Sequence, residues 1–292
     1  MKDLFGYLAL RVGAGLIGLL PANIARALGR AFGRVWHFFA GGRRRMAERH
    51  MRRVFGNGGD PVRAARSVMQ SYGRYYAEAL WVRGSRVEDL QRHTSVDGLE
   101  LLIQARDQGK GMIYGLPHVG NWEVAAPVAV AERIPVVAVA EKLPNHRITD
   151  WFTDMRADFG IEIVLATGGI EVMRKLEAAL AENKAVALLS DRDLKGRGVE
   201  VEFFGEKTTL PPGPATLALR TGAPLLPVAS YYDGDDGYRV VVKPAIPVPD
   251  EGSRSEKVAA MTQALAREME AFIRKAPEQW HLVQPNWPSD RA

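Results

Sequence analysis

The 292-residue chain is 47% hydrophobic and 25% charged, the composition of a globular protein that can bury a full core and leaves disorder to its ends. It has no cysteine, so disulfides, thiolate catalysis and cysteine-ligated metals are excluded. Its net charge of +5 names no partner by itself; the distribution of that charge says more.

From the N-terminus to Asp60, eleven basic residues (Lys2, Arg11, Arg26, Arg30, Arg34, Arg43, Arg44, Arg45, Arg49, Arg52, Arg53) stand against three acidic ones (Asp3, Glu48, Asp60). Leu4, Phe5, Leu8, Leu20, Leu28, Phe32, Trp36, Phe38 and Phe39 are interleaved with them. Arginines and apolar residues at helical intervals predict helices lying on an anionic membrane surface. A helical hairpin packed on its own domain is the plainer alternative. A spanning helix fits poorly: the longest apolar stretch, Leu4 to Leu20, carries Arg11 and four glycines, and at about 1.5 Å per residue it falls short of a ~30 Å hydrocarbon core. A cleaved signal peptide also fits poorly, because Asp3 offsets Lys2 and no small-x-small cleavage pattern follows. No nucleic-acid-binding motif accompanies Arg43-Arg44-Arg45, so no nucleic acid is expected as a partner.

Gly56 to Asp60 closes this region, and Pro61 to Arg83 is predicted as a helix with a stripe of Tyr72, Tyr75, Tyr76 and Trp81. Such a stripe is more often core than ligand contact. Residues 1–93 are read as membrane-associating helices packed on an α/β domain at 94–292, the two forming one structural unit. In that domain the elements alternate. Strands are predicted at Ser95 to Gly98, Gly111 to Leu116, Ile134 to Val139, Ile161 to Leu165 and Ala185 to Leu189, and helices at Leu99 to Gln108, Val124 to Ala131, Thr149 to Asp158 and Ile170 to Glu182. This order predicts a mostly parallel central sheet flanked by helices. Gly198 to Phe204 reads as an edge or hairpin strand, and Thr208 to Ala215 as a proline-fixed loop feeding a helix to Arg220.

Chemistry is expected where the strands end. Leu116-Pro-His118-Val-Gly-Asn-Trp-Glu123 puts a histidine in the loop after one strand and a carboxylate in the first turn of the next helix. A neutral imidazole can take the proton of an attacking hydroxyl, and a carboxylate in reach can fix its tautomer and stabilise the imidazolium. Ser190-Asp191-Arg192-Asp193 sets two more carboxylates and an arginine directly after another buried strand. The free amides at the start of the helix after Pro212 are suited to an oxyanion or phosphate. No Gly-x-Ser-x-Gly elbow occurs, which argues against a serine hydrolase. A non-catalytic lipid-binding protein would share the membrane features.

The order Gly-Leu-Pro-His118-x4-Glu123, Asp191-Arg-Asp193, Gly198-Val-x-Val-x-Phe-Phe-Gly205, Pro212-Gly-Pro-Ala215 and Gly222-Ala-Pro224 resembles the lysophospholipid-acyltransferase superfamily. Within it the chain is most similar to the branch of bacterial lipid A late acyltransferases and actinobacterial phosphatidylinositol mannoside acyltransferases. The tail Ala276 to Trp287 and the Asp-Arg-Asp form of the second motif point to the latter. The resemblance implies transfer of a long acyl group, palmitoyl being expected, from acyl-CoA as co-substrate to a mannose hydroxyl of a phosphatidylinositol mannoside. It places the enzyme peripherally at the cytoplasmic face of the plasma membrane; a lipid A precursor or a lysophospholipid is the alternative acceptor. It implies His118 as general base, with Asp191 as its partner and Glu123 as a second acid that either contacts His118 or aligns the loop. Glu141, Arg156, Arg192 and Asp193 are implied around the substrate, and Arg156, Arg197 and Arg220 are the basic residues expected to meet the phosphates of coenzyme A. No metal and no further cofactor is expected.

Overall fold

The structure, a computed structural model, describes residues 2–82, 86–167, 169–193 and 196–291. Four helices come first: α1 (Lys2–Gly18), α2 (Ala22–Phe39), α3 (Gly41–Phe55) and α4 (Pro61–Trp81). Asp60 starts α4 by accepting from the amides of Val62 and Arg63, an acidic N-cap with proline in the first turn. The helix ends at Trp81, two positions before the expected Arg83, which lies outside the described residues.

α2 is built inside out. Its buried side is Ala25, Arg26, Gly29, Gly33 and His37, while Leu28, Phe32, Val35 and Phe39 stand exposed along the opposite side, Phe39 at 83%. The glycines let α2 press on α4: a Cβ at Gly33 would lie 2.1 Å from the carbonyl oxygen of Met69, and one at Gly73 would lie 2.2 Å from that of Gly29. α1 likewise exposes Leu4, Phe5, Leu8, Val12 and Leu16. The helices pack on their own domain, as the plainer alternative has it, and leave a large apolar face exposed. Among the described residues no helix is long and apolar enough to cross a membrane.

The domain beyond holds α5 (Val87–Arg92), β1 (Thr94–Asp97), α6 (Leu99–Asp107), β2 (Met112–Leu116), α7 (Ala125–Ala131), β3 (Val136–Ala140), α8 (His146–Asp158), β4 (Ile161–Leu165), α9 (Ile170–Ala181) and β5 (Ala185–Leu189). Then follow β6 (Val199–Phe203), β7 (Glu206–Leu210), α10 (Gly213–Thr221), β8 (Leu225–Asp233), β9 (Gly237–Val242) and α11 (Arg254–Lys275). Seven strands form one sheet in the order β1-β9-β8-β2-β5-β3-β4. It is mostly parallel; the turn from β8 into β9 is antiparallel, and β1 runs parallel to β9. β2 is wholly buried, and apolar clusters on the two faces of the sheet cover it with helices. β6 and β7 form a separate antiparallel hairpin. Thr208 to Leu210, expected as loop, is thus the end of a strand that pairs in register with Val199 to Val201.

Candidate active site

β2 and β5 are neighbours in parallel, with Leu116 paired to Leu189. His118 and Asp191 each follow two residues later, so equal overhangs at the same sheet edge bring them together. His118 Nδ1 lies 2.6 Å from Asp191 Oδ1, and the His118 amide donates to Oδ2 at 3.0 Å. Asp191 is fully buried. Burial opposes its charge, yet the His118 imidazole and the N–H donors of Trp280 and His118 hold the carboxyl below the usual carboxylate range. With Nδ1 engaged, the Nε2 edge of His118 is left to the cleft that this residue lines. This is the arrangement of a base whose tautomer is set by a buried acid.

Glu123 does not serve that role. It sits in a short 3-10 turn, Trp122–Val124, and its carboxylate meets Arg156 of α8, with Nη2 to Oε1 at 2.7 Å and Nε to Oε1 at 3.0 Å. Tyr75 donates its hydroxyl to the same oxygen at 3.3 Å. Of the two acids considered for His118, the structure gives Asp191 the contact and Glu123 the loop. Arg156 lines the cleft, but as the partner of Glu123. Glu141 follows β3 as Arg192 follows β5, and these adjacent strands bring Glu141 Oε1 within 2.9 Å of Arg192 Nη2 at the cleft wall.

Three expected residues are placed elsewhere. Asp193 does not line the cleft: its Oδ2 accepts from the Gly198 amide at 2.6 Å and the Thr209 hydroxyl at 2.8 Å, so it fastens the loop to the hairpin. Arg220 lies seven residues beyond Gly213, at the far end of α10 from the cleft, paired with Glu177 of α9. Seven residues of helix span about 10 Å, too far for a group expected at the donor site. Arg197 is exposed on the loop before β6 and does not line the cleft.

The tail builds much of the site. Trp280 Nε1 donates to Asp191 Oδ2 at 2.8 Å, Asn286 Nδ2 donates to the Asp191 carbonyl at 3.0 Å, and the His281 amide donates to the His118 carbonyl at 2.8 Å. None of these roles could be read from spacing, because each pairs residues far apart in the chain; the tail motif itself was the only signal. Tyr72, Tyr75 and Tyr76 of the α4 stripe all border the cleft, Tyr75 as a buried residue and the other two with their hydroxyls 3.0 Å apart. His281, stacked on Tyr72 and buried, is pushed down to about 3 by desolvation.

The cleft, 590 Å³ in volume, adjoins an apolar pocket lined by Leu116, Ala125, Ala126, Val136, Ala138, Ile161, Ile163 and Ala187. Trp122, Arg156, Val139, Ala140 and Leu189 belong to both. Ala125 and Ala126 come from the alanine-rich start of α7. The start of α10, with Gly213 and Pro214, closes another side of the cleft. The site thus holds a histidine–aspartate pair, a wide cleft and a narrow apolar slot in contact.

Residues 4–289 match the family model described as bacterial lipid A biosynthesis acyltransferase. The chain is 36% identical over 227 residues to a phosphatidylinositol mannoside acyltransferase of Mycolicibacterium smegmatis, covering 77% of this chain and 72% of that one. It is also 36% identical over 234 residues to the phosphatidylinositol mannoside acyltransferase of Mycobacterium tuberculosis strain H37Rv, covering 79% and 72%. A lipid A biosynthesis acyltransferase of Haemophilus influenzae is 26% identical over 194 residues, covering 65% and 58%.

Proposed function

Since the chain belongs to the bacterial lipid A biosynthesis acyltransferase family and is an O-acyltransferase, we propose that it moves a long acyl group from acyl-CoA to a mannose hydroxyl of a phosphatidylinositol mannoside. The observation that carries this reading is the His118–Asp191 pair on the wall of the cleft, with the His118 ring 5.2 Å from that of Trp122, which the cleft shares with the apolar pocket. The acceptor reading rests on the names of the two mycobacterial relatives.

In this mechanism the acyl chain enters the apolar pocket, which sets the thioester carbonyl at the shared rim formed by Trp122 and Leu189. The acceptor hydroxyl lies against His118 Nε2 and loses its proton as it attacks. Asp191 stabilises the imidazolium that forms. The oxyanion is met by the cationic wall at Arg192 or by the amides at the start of α10. The imidazolium then returns its proton to solvent, and the thiolate of coenzyme A leaves without needing one. The main demand on the protein is therefore positioning.

The bare apolar faces of α1 and α2, with Arg11, Arg34 and Arg43 to Arg45 beside them, supply the surface that meets anionic lipid at the cytoplasmic face of the membrane. An amphipathic helix that buries glycine and exposes phenylalanine needs another apolar phase to cover it.

Purified enzyme offered palmitoyl-CoA with a mannosylated phosphatidylinositol, a lipid A precursor and a lysophospholipid together tests the reading. Mass spectrometry should find the added acyl mass on the mannosylated lipid. Acylation of either competitor alone would overturn the acceptor assignment.

A further inference from the structure

Glu78 of α4 is 1% exposed and lies outside the cleft lining, yet three donors from three places converge on it. Arg26 Nε of α2 reaches Oε1 at 3.0 Å, and Arg74 Nε reaches the same oxygen at 2.9 Å. The other oxygen, Oε2, accepts from Asn121 Nδ2 at 2.8 Å. Asn121 is itself buried between His118 and Glu123, and its Oδ1 accepts from the Glu123 amide at 3.3 Å. Its carbonyl accepts from the Ser230 hydroxyl at 2.8 Å. The two arginines also hold the turn between β8 and β9: Arg74 donates to the carbonyls of Gly234 and Asp235, and Arg26 pairs with Asp236.

We propose that Glu78 is a positioning residue for acyl transfer: through Asn121 it sets the stretch from His118 to Glu123, and so the Glu123–Arg156 pair on the rim shared by cleft and pocket. This rests on the catalytic reading given above for His118. A carboxylate satisfies three donors at once and in a fixed geometry, which an amide of the same shape does not, because its NH2 end turns a donor toward a donor. Two anchors then divide the loop between them. The tail fixes the His118 end through Trp280, His281 and Asp191, and Glu78 fixes the Glu123 end. Arg26 gives the second anchor a further meaning, since the helix that carries it exposes the apolar face at Leu28, Phe32 and Phe39. The seat of α2 is thereby joined to the loop by two side chains.

The test uses the full-length chain and Glu78→Gln, at a temperature where circular dichroism shows the variant fully folded. Hydrogen–deuterium exchange should rise in the peptide 117–124 and stay unchanged in 280–287. With palmitoyl-CoA and the mannosylated lipid, kcat/KM should fall at least tenfold, and adding Asn121→Ala should cost nothing more. Wild-type turnover, an exchange increase spread evenly over the molecule, or additive losses in the double variant would each overturn the proposal. Should Glu78→Gln not fold, Asn121→Ala alone must loosen 117–124 and lower kcat/KM tenfold; if it does neither, the proposal fails. The exchange arm uses no substrate. A wild-type enzyme that ignores the mannosylated lipid therefore rejects the acceptor reading and leaves this one to be judged by exchange.

Discussion

Asp191 accepts from Trp280 at 2.8 Å across 89 positions of sequence, so the acid that braces His118 is itself held by the C-terminal tail. Trp280→Phe keeps the buried ring and removes only the N–H donor. A buried acceptor that loses one charge-assisted partner costs about 1.5–3 kcal/mol. The melting temperature should drop accordingly, and kcat should fall about tenfold because Asp191 is free to shift from His118. A variant with wild-type kcat would detach the tail from catalysis.

The Glu123–Arg156 pair is buried at its acidic end, with the Glu123 side chain 5% exposed. Arg156→Met leaves that carboxylate without its counter-ion and should cost about 3 kcal/mol in denaturant unfolding, the range for breaking a buried pair. Adding Glu123→Gln should restore more than half of the loss. Equal destabilisation of single and double variants would show that the pair is not coupled.

Ala138 and Ala187 line the apolar pocket on β3 and β5. Replacing Ala138 with Phe fills the slot while leaving the cleft and His118 in place. Palmitoyl transfer should fall while transfer from a much shorter acyl-CoA is retained, as read by thiol release across a donor series. A uniform loss for every chain length would place the acyl group elsewhere.

Burial pushes His281 down to about 3 and His50 down to about 4, whereas histidine in an unfolded chain titrates near ~6.5. Between these values the unfolded chain binds protons that the folded one refuses, so stability rises with pH there. The contribution is fully present above about pH 6.5 and is lost as pH falls toward 4, at up to about 1.4 kcal/mol per pH unit for each histidine. Urea midpoints at pH 7.5, 6.0 and 5.0 should decline, and His281→Gln should flatten the decline. A flat profile for the wild type would contradict the buried neutral state.

How much of this was legible in the sequence depends on how local each signal is. β5 matches its expected range to the residue because a buried parallel strand is a continuous apolar run, and β4 matches too although it is an edge strand that carries the exposed Glu162. Thr208 to Leu210 was misread because two prolines follow it directly and its pairing partner, Val199 to Val201, is visible only across a turn. β8, β9 and α11 were not assigned at all. In the site, His118 and Asp191 stood out as polar residues at the ends of buried strands. The same logic overreached at Asp193, whose neighbours Gly198 and Thr209 take up its carboxylate, and at Arg220, whose distance from the cleft is set by the direction of α10.

The exposed face of α2 yields a further outcome. Leu28→Ser with Phe32→Ser and Phe39→Ser removes apolar area that is largely exposed among the described residues, so the melting temperature should hold while sedimentation with anionic vesicles falls. Unchanged sedimentation would count against the surface-helix reading.

The central claim is that the His118 imidazole removes the proton of the attacking alcohol. His118→Ala, assayed by thiol release from palmitoyl-CoA together with mass of the acylated lipid, addresses it most directly. The account predicts a loss of about 10³-fold, within the range for removing a general base, in a variant that circular dichroism shows to be folded at the assay temperature. Turnover within a few-fold of the wild type would contradict it.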